Sequence, residues 1–112
     1  MVAPTSRRRF ERMPFFANVT IRSQSGGPSV KGRSIDISLG GVGLVSESPF
    51  PVGKLVDLTF HLSTPKGIVN EQVSGRVACV RFDDNAAIVG LEFSTILARE
   101  ATPELTRMVE KL

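Results

Sequence analysis

Tryptophan and tyrosine are absent from this chain of 112 residues, and cysteine and histidine occur once each, as Cys79 and His61. A single cysteine builds no internal disulfide framework, and one sulfur with one imidazole falls short of a zinc ligand set, so no metal is expected. The missing Trp and Tyr weaken any reading that needs an aromatic platform on which single-stranded nucleic acid stacks. No apolar run approaches the ~20 residues of a membrane-spanning helix. The N-terminus also lacks the apolar stretch of a signal peptide, which implies a cytoplasmic protein with no membrane insertion. Asp57 and Glu71 have no companions nearby for acid–base work, Asp83-Asp84 reads as a hairpin turn, and no phosphate-cradling loop of the Walker type occurs. Catalysis is therefore not expected.

What is present is arginine, unevenly placed. Ten arginines contribute to a formal charge of +3, and four of them fall between positions 7 and 12, in Arg7-Arg8-Arg9-Phe10-Glu11-Arg12. Arginine rather than lysine in such a cluster favours planar, bidentate and stacking recognition, which suits a compact anion or an exposed base better than duplex nucleic acid. Pro14 blocks helix continuation and biases Met13 toward extended geometry, so these arginines belong on an extended segment. Residues 1–6 have no periodicity and read as a flexible lead-in.

From Phe15 onward the period is two. Ala17, Val19 and Ile21 alternate with Asn18, Thr20 and Arg22, and a turn cluster follows at Ser23 to Pro28. The next run reaches Ser38, with Ile35 and Ile37 on the core face and Ser34, Asp36 and Ser38 together on the other. Gly40-Gly41 ends it, and Val42 to Val45 begins another strand. Val56, Leu58, Phe60 and Leu62 alternate with Asp57, Thr59 and His61, which places His61 on the outer side. A long strand runs from Ile68 to Phe82, with a bulge or bend at Gly75 and Cys79 as a small buried side chain. Val89, Leu91 and Phe93 form the inward face of the last strand.

Six or seven short strands at this spacing suit one antiparallel barrel or sandwich with one modest core. The period then changes. Thr102 is placed as an N-cap with Pro103 as the first helical residue, and Leu105, Met108, Val109 and Leu112 make the apolar stripe of a short helix over 102–112.

Two motifs carry the chemistry. A guanidinium can donate paired hydrogen bonds to phosphate oxygens or to the O6 and N7 edge of guanine, each such charge-assisted bond contributing about 1.5–3 kcal/mol. Two or three of them supply much of a micromolar affinity, about −8 kcal/mol. By itself an N-terminal basic run is equally a solvated tail. The second motif is Asp36-Ile37-Ser38-Leu39-Gly40-Gly41. Alone it is ordinary turn chemistry. Beside the arginines it becomes a second half-site: a carboxylate accepts from the N1–H and N2–H₂ donors of guanine, a hydroxyl adds a bond, and Gly41 lacks the Cβ that would crowd a ligand.

This pair, RRxxxR followed by DxSxxG, resembles the PilZ family, bacterial receptors for the second messenger cyclic di-GMP, over nearly the whole chain from Arg7 to Leu112. The resemblance implies a mainly β fold: a six-stranded antiparallel barrel over 15–94 with a short C-terminal α-helix over 102–112, preceded by an arginine-rich switch segment over 7–14. It assigns Arg7, Arg8, Arg12, Asp36, Ser38 and Gly41 to cyclic di-GMP, with no other cofactor. It implies that the arginine segment orders on the nucleotide and signals to a downstream effector protein, the domain itself being a monomer or weak dimer. Related domains bind one nucleotide or an intercalated pair, and some carry an aromatic residue where this chain has Ala78-Cys79-Val80. Two rival readings stand beside it. One is a scaffold of the same fold that works through protein contacts alone, and the other is a small barrel that binds single-stranded nucleic acid with strong salt dependence.

Overall fold

Apolar–polar alternation builds seven strands and one helix within residues 11–112, the part of the chain that the computed structural model describes. They are β1 (Met13–Pro14), β2 (Asn18–Ser23), β3 (Val30–Ile37), β4 (Gly41–Ser46), β5 (Leu55–Thr64), β6 (Gly67–Asp83), β7 (Ala86–Phe93) and α1 (Pro103–Glu110). All pairings are antiparallel. From β3 the sheet runs through β2, β5, β6, β7 and β4 and returns to β3, closing a six-stranded barrel with no free edge. The short β1 lies outside this count. It pairs with Asp36 and Ile37, along the same side of β3 that β2 occupies further back.

The interior follows the expected faces. Val56, Leu58 and Phe60 on β5, Val42 and Leu44 on β4, and Val89 and Leu91 on β7 are all but inaccessible. Burying each such side chain contributes about 1.5–3 kcal/mol, enough together to specify the closed form. Leu105 on α1 is fully buried against this core, Met108 and Val109 pack at its margin, and Leu112 stays largely exposed.

Two interruptions of the two-residue period change which side chains face out. In β3, Ser34 pairs with Leu44 and Asp36 with Gly43, so Ile35 is an extra, unpaired residue. This bulge puts Ser34 and Ile37 inside and leaves Ile35 half-buried, where uninterrupted alternation predicts Ile35 inside and Ser34 out. In β6 the register shifts between Val77 and Cys79, making Ala78 the extra residue. The bend expected at Gly75 therefore lies three residues later, and Cys79 is exposed instead of buried. Gly75 itself pairs regularly with Val56 and Phe93.

Buried Ser34 is put to use. Its hydroxyl donates to the Phe15 carbonyl at 2.8 Å and accepts from the Ala17 amide at 2.9 Å, tying the link between β1 and β2 to β3. At the other end of the chain Thr102 occupies the N-cap position of α1, but its side chain makes no capping bond. The cap comes from β6, where the buried carboxylate of Glu71 accepts from the Glu104 and Leu105 amides at 3.0 and 2.7 Å.

Candidate functional site

Both bulges aim side chains onto a single outer row. Asp36 on β3 is the register partner of Gly43 on β4, Gly43 of Gly90 on β7, and Gly90 of Cys79 on β6. The row has a carboxylate at one end, a thiol at the other and two residues without side chains between them. Arg12 lies over this depression. It is carried there by β1, whose Met13–Pro14 pairing with Ile37 and Asp36 fixes the preceding residue beside the row.

The Arg12 guanidinium reaches in two directions. One terminal nitrogen, Nη1, donates to Asp36 Oδ1 at 3.4 Å, and the other, Nη2, donates to the Leu91 carbonyl oxygen at 3.4 Å. The side chains of Arg12 and Asp36 are 35% and 38% exposed, so the ion pair is screened by water and contributes at most about 1 kcal/mol. Both groups therefore remain exchangeable toward a ligand that offers better partners.

Beyond Arg12 a groove of about 420 Å³ opens, lined also by Ser38, Gly40, Gly41, Glu92 and the Phe93–Ile96 segment. Its turn is held rigidly. The Ser38 amide donates to the Gly41 carbonyl at 2.9 Å, the Gly40 amide to Ser38 Oγ at 3.1 Å, and Phe93 and Leu97 amides to the Gly40 and Leu39 carbonyls at 2.9 Å each. Ser38 is buried, so Asp36 and Ser38 do not share one exposed face as simple alternation predicts; Ser38 lines the groove, and Asp36 meets it only through Arg12. A Cβ on Gly41 would run into the Leu91 carbonyl oxygen of β7 and come within 3.1 Å of Arg12 Nη2. Glycine is needed there for the close approach of β4 to β7 as well as for an open groove.

Of the six residues singled out by sequence, Arg12, Asp36, Ser38 and Gly41 thus line one connected surface. Arg7 and Arg8 lie outside the described residues. Sequence reasoning missed the Leu91 carbonyl, which as a backbone group leaves no mark in residue type. It also missed Gly43, Glu92 and the Ser94–Ile96 wall, which only strand register brings near. Glu92 is drawn toward Arg76, with 3.7 Å between carboxylate and guanidinium. His61, on the outer side as its alternation predicts, is fastened there, its ring nitrogens 2.7 Å from Thr20 Oγ1 and 2.8 Å from Asn70 Oδ1. Among the described residues no cluster of three or more His, Cys, Asp or Glu side chains is placed to hold a metal ion. Nor is any helix there long and apolar enough to cross a membrane.

Comparison with known proteins agrees with this architecture. The family model described as the PilZ domain matches residues 6–111. No curated protein matches the chain. Among solved structures, the inhibitor of motility MotI/DgrA of Bacillus subtilis is similar at a TM-score of 0.72 and 20% identity, over 93% of this chain and 50% of that one. The chain therefore spans about half the length of that structure. The PilZ domain of YcgR from Escherichia coli, solved with c-di-GMP, gives a TM-score of 0.66 at 16% identity over 95% and 91% of the two chains. The PilZ domain of CeSA from a cellulose-synthesizing bacterium gives 0.59 at 18% identity over 90% and 96%. At such identities these likenesses establish the fold.

Proposed function

Since the chain belongs to the PilZ domain family, we propose that it is a cytoplasmic receptor for cyclic di-GMP that passes the level of this messenger to an effector protein. The observation that carries the reading is the place of Arg12. A residue of the arginine motif sits 3.4 Å from the carboxylate of the second motif, over the glycine-floored row that leads to Ser38 and Gly41. The two motifs are the halves of one clamp.

In this reading Asp36 accepts from the N1–H and N2–H₂ donors of a guanine. Ser38, whose Oγ already accepts from the Gly40 amide, still has its own proton to donate into the groove. Gly41 admits the base. Arg12 exchanges its weak bond to Asp36 for a phosphate or for the O6 and N7 edge, and Arg7 and Arg8 complete the cationic cover. Ordering the arginine segment on the nucleotide has an entropic cost and alters the surface offered to the effector, which couples occupancy to signalling. The domain acts as a monomer or weak dimer.

Isothermal titration with cyclic di-GMP tests the reading. The expected result is saturable binding by the wild type, weakened roughly tenfold or more in Arg8→Ala and in Arg12→Ala, as the loss of one charge-assisted bond requires. A wild-type protein that releases no heat and binds no nucleotide overturns it, as does unchanged affinity in both variants.

A further inference from the structure

We propose that Gly43, which lies outside both motifs, is a positioning residue of the site: it leaves open the space above β4 that the Asp36 carboxylate must enter to hold Arg12. The proposal rests on the reading of this surface as a nucleotide site and names the residue that governs its geometry.

The argument begins at the bulge. The extra residue Ile35 turns Asp36 outward and sets it directly across from Gly43. A short carboxylate on β3 reaches Arg12 by lying over the neighbouring strand, and there it meets the position where a side chain of residue 43 would begin. A Cβ on Gly43 would stand 2.7 Å from Asp36 Oδ1, 3.3 Å from its Cγ and 3.4 Å from Arg12 Nη1. The first distance is far inside contact range, so a side chain at 43 and the observed carboxylate cannot coexist. Every atom in conflict belongs to a flexible side chain. A methyl at 43 is therefore accommodated by swinging Asp36 away from Arg12, with the backbone of the barrel undisturbed.

Gly41, two residues earlier, is the instructive contrast. There the missing Cβ would strike the Leu91 carbonyl, part of the β4–β7 ladder, and the strands themselves would have to move. Alanine at 41 perturbs the fold and the site together. Alanine at 43 separates them. The neighbouring Gly90 completes the floor, a Cβ there standing 3.9 Å from Arg12 Nη1, but its first conflict is with the Cys79 sulfur at 2.6 Å. Among these three glycines only Gly43 has the Asp36 carboxylate as its nearest neighbour.

The test uses the full chain as wild type, Gly43→Ala, Asp36→Ala and the double variant. Side-chain NMR of Arg12 is followed in the nucleotide-free protein, with thermal unfolding in parallel. Gly43→Ala should shift the Arg12 guanidinium resonances in the same direction as Asp36→Ala, with little change in Tm. In the double variant the second substitution should add almost nothing, because both act through the same contact. Titration with cyclic di-GMP should then show affinity about tenfold weaker in Gly43→Ala, because the displaced Asp36 carboxylate no longer stands where it would meet the guanine donors, and less than a twofold further loss when Gly43→Ala is added to Asp36→Ala. Arg12 resonances unmoved by Gly43→Ala, or effects of the two substitutions that simply add, overturn the positioning role. These resonances decide the matter without nucleotide, so a wild type that fails to bind cyclic di-GMP sinks the proposed ligand and leaves the test of Gly43 standing.

Discussion

The Glu71 carboxylate on β6 accepts the Leu105 amide of α1 at 2.7 Å, and through this bond a barrel strand supplies the cap that the helix lacks in its own sequence. A negative charge at a helix N-terminus also complements the helix dipole. Glu71→Ala should leave two amides near the core without acceptors, at a cost of about 1–3 kcal/mol. Chemical denaturation should report that loss. Hydrogen exchange at Glu104 and Leu105 should accelerate. Unchanged stability would show that water or Thr102 replaces the cap.

Ser34 fastens the other end of the chain. In Ser34→Ala the Ala17 amide and the Phe15 carbonyl lose their shared partner. The expected destabilisation lies toward the lower end of about 1–3 kcal/mol, since the link is only partly buried. Because this link leads back through β1 to Arg12, cyclic di-GMP affinity should fall as well, although Ser34 contacts no part of the groove. A variant that loses stability but binds normally would separate the fastening from the site.

Arg12 bonds two acceptors that diverge from one planar group, Asp36 and the Leu91 carbonyl. Lysine keeps the charge but offers a single nitrogen, which can neither span both nor make the paired bonds to a phosphate or a guanine edge. Arg12→Lys should therefore bind cyclic di-GMP nearly as poorly as Arg12→Ala, roughly tenfold or more below wild type by titration. Full recovery by lysine would mean that charge alone matters at this position.

Gly41 carries a structural duty that its motif does not announce. Gly41→Ala drives a methyl group into the Leu91 carbonyl, an overpacking that should cost about 1–3 kcal/mol. Both Tm and nucleotide affinity should drop. Retained Tm with lost affinity would assign Gly41 to the ligand alone.

Much of this molecule is legible one residue at a time. The alternating runs at Val19 and Ile21, at Val56 to Leu62 and at Val89 to Phe93 place the strands and their inward faces, because a strand's period is local and the core accepts whichever face is apolar. Met13 lies in a strand, as the clash of the Pro14 ring with the residue before it favours. The two motifs are visible as residue types, and one residue of each, Arg12 and Asp36, lie 3.4 Å apart.

Other features depend on partners distant in sequence. Alternation puts Ile35 and Cys79 inside, yet one is half-buried and the other exposed, because an extra residue in one strand is defined only against its neighbour's register. Thr102 has the right type for a cap but leaves that task to Glu71, 31 positions earlier, since a carboxylate projecting from the barrel reaches the free amides first. The row from Asp36 through Gly43 and Gly90 to Cys79 joins four strands and appears nowhere as a sequence pattern. By itself the sequence determined the faces of the regularly paired strands, the terminal helix and the residue types of the two motifs, all of which follow from local period and residue chemistry. Tertiary structure alone decided which groups share a surface, because closing the barrel sets the register that brings a guanidinium, a carboxylate and a backbone carbonyl to one place.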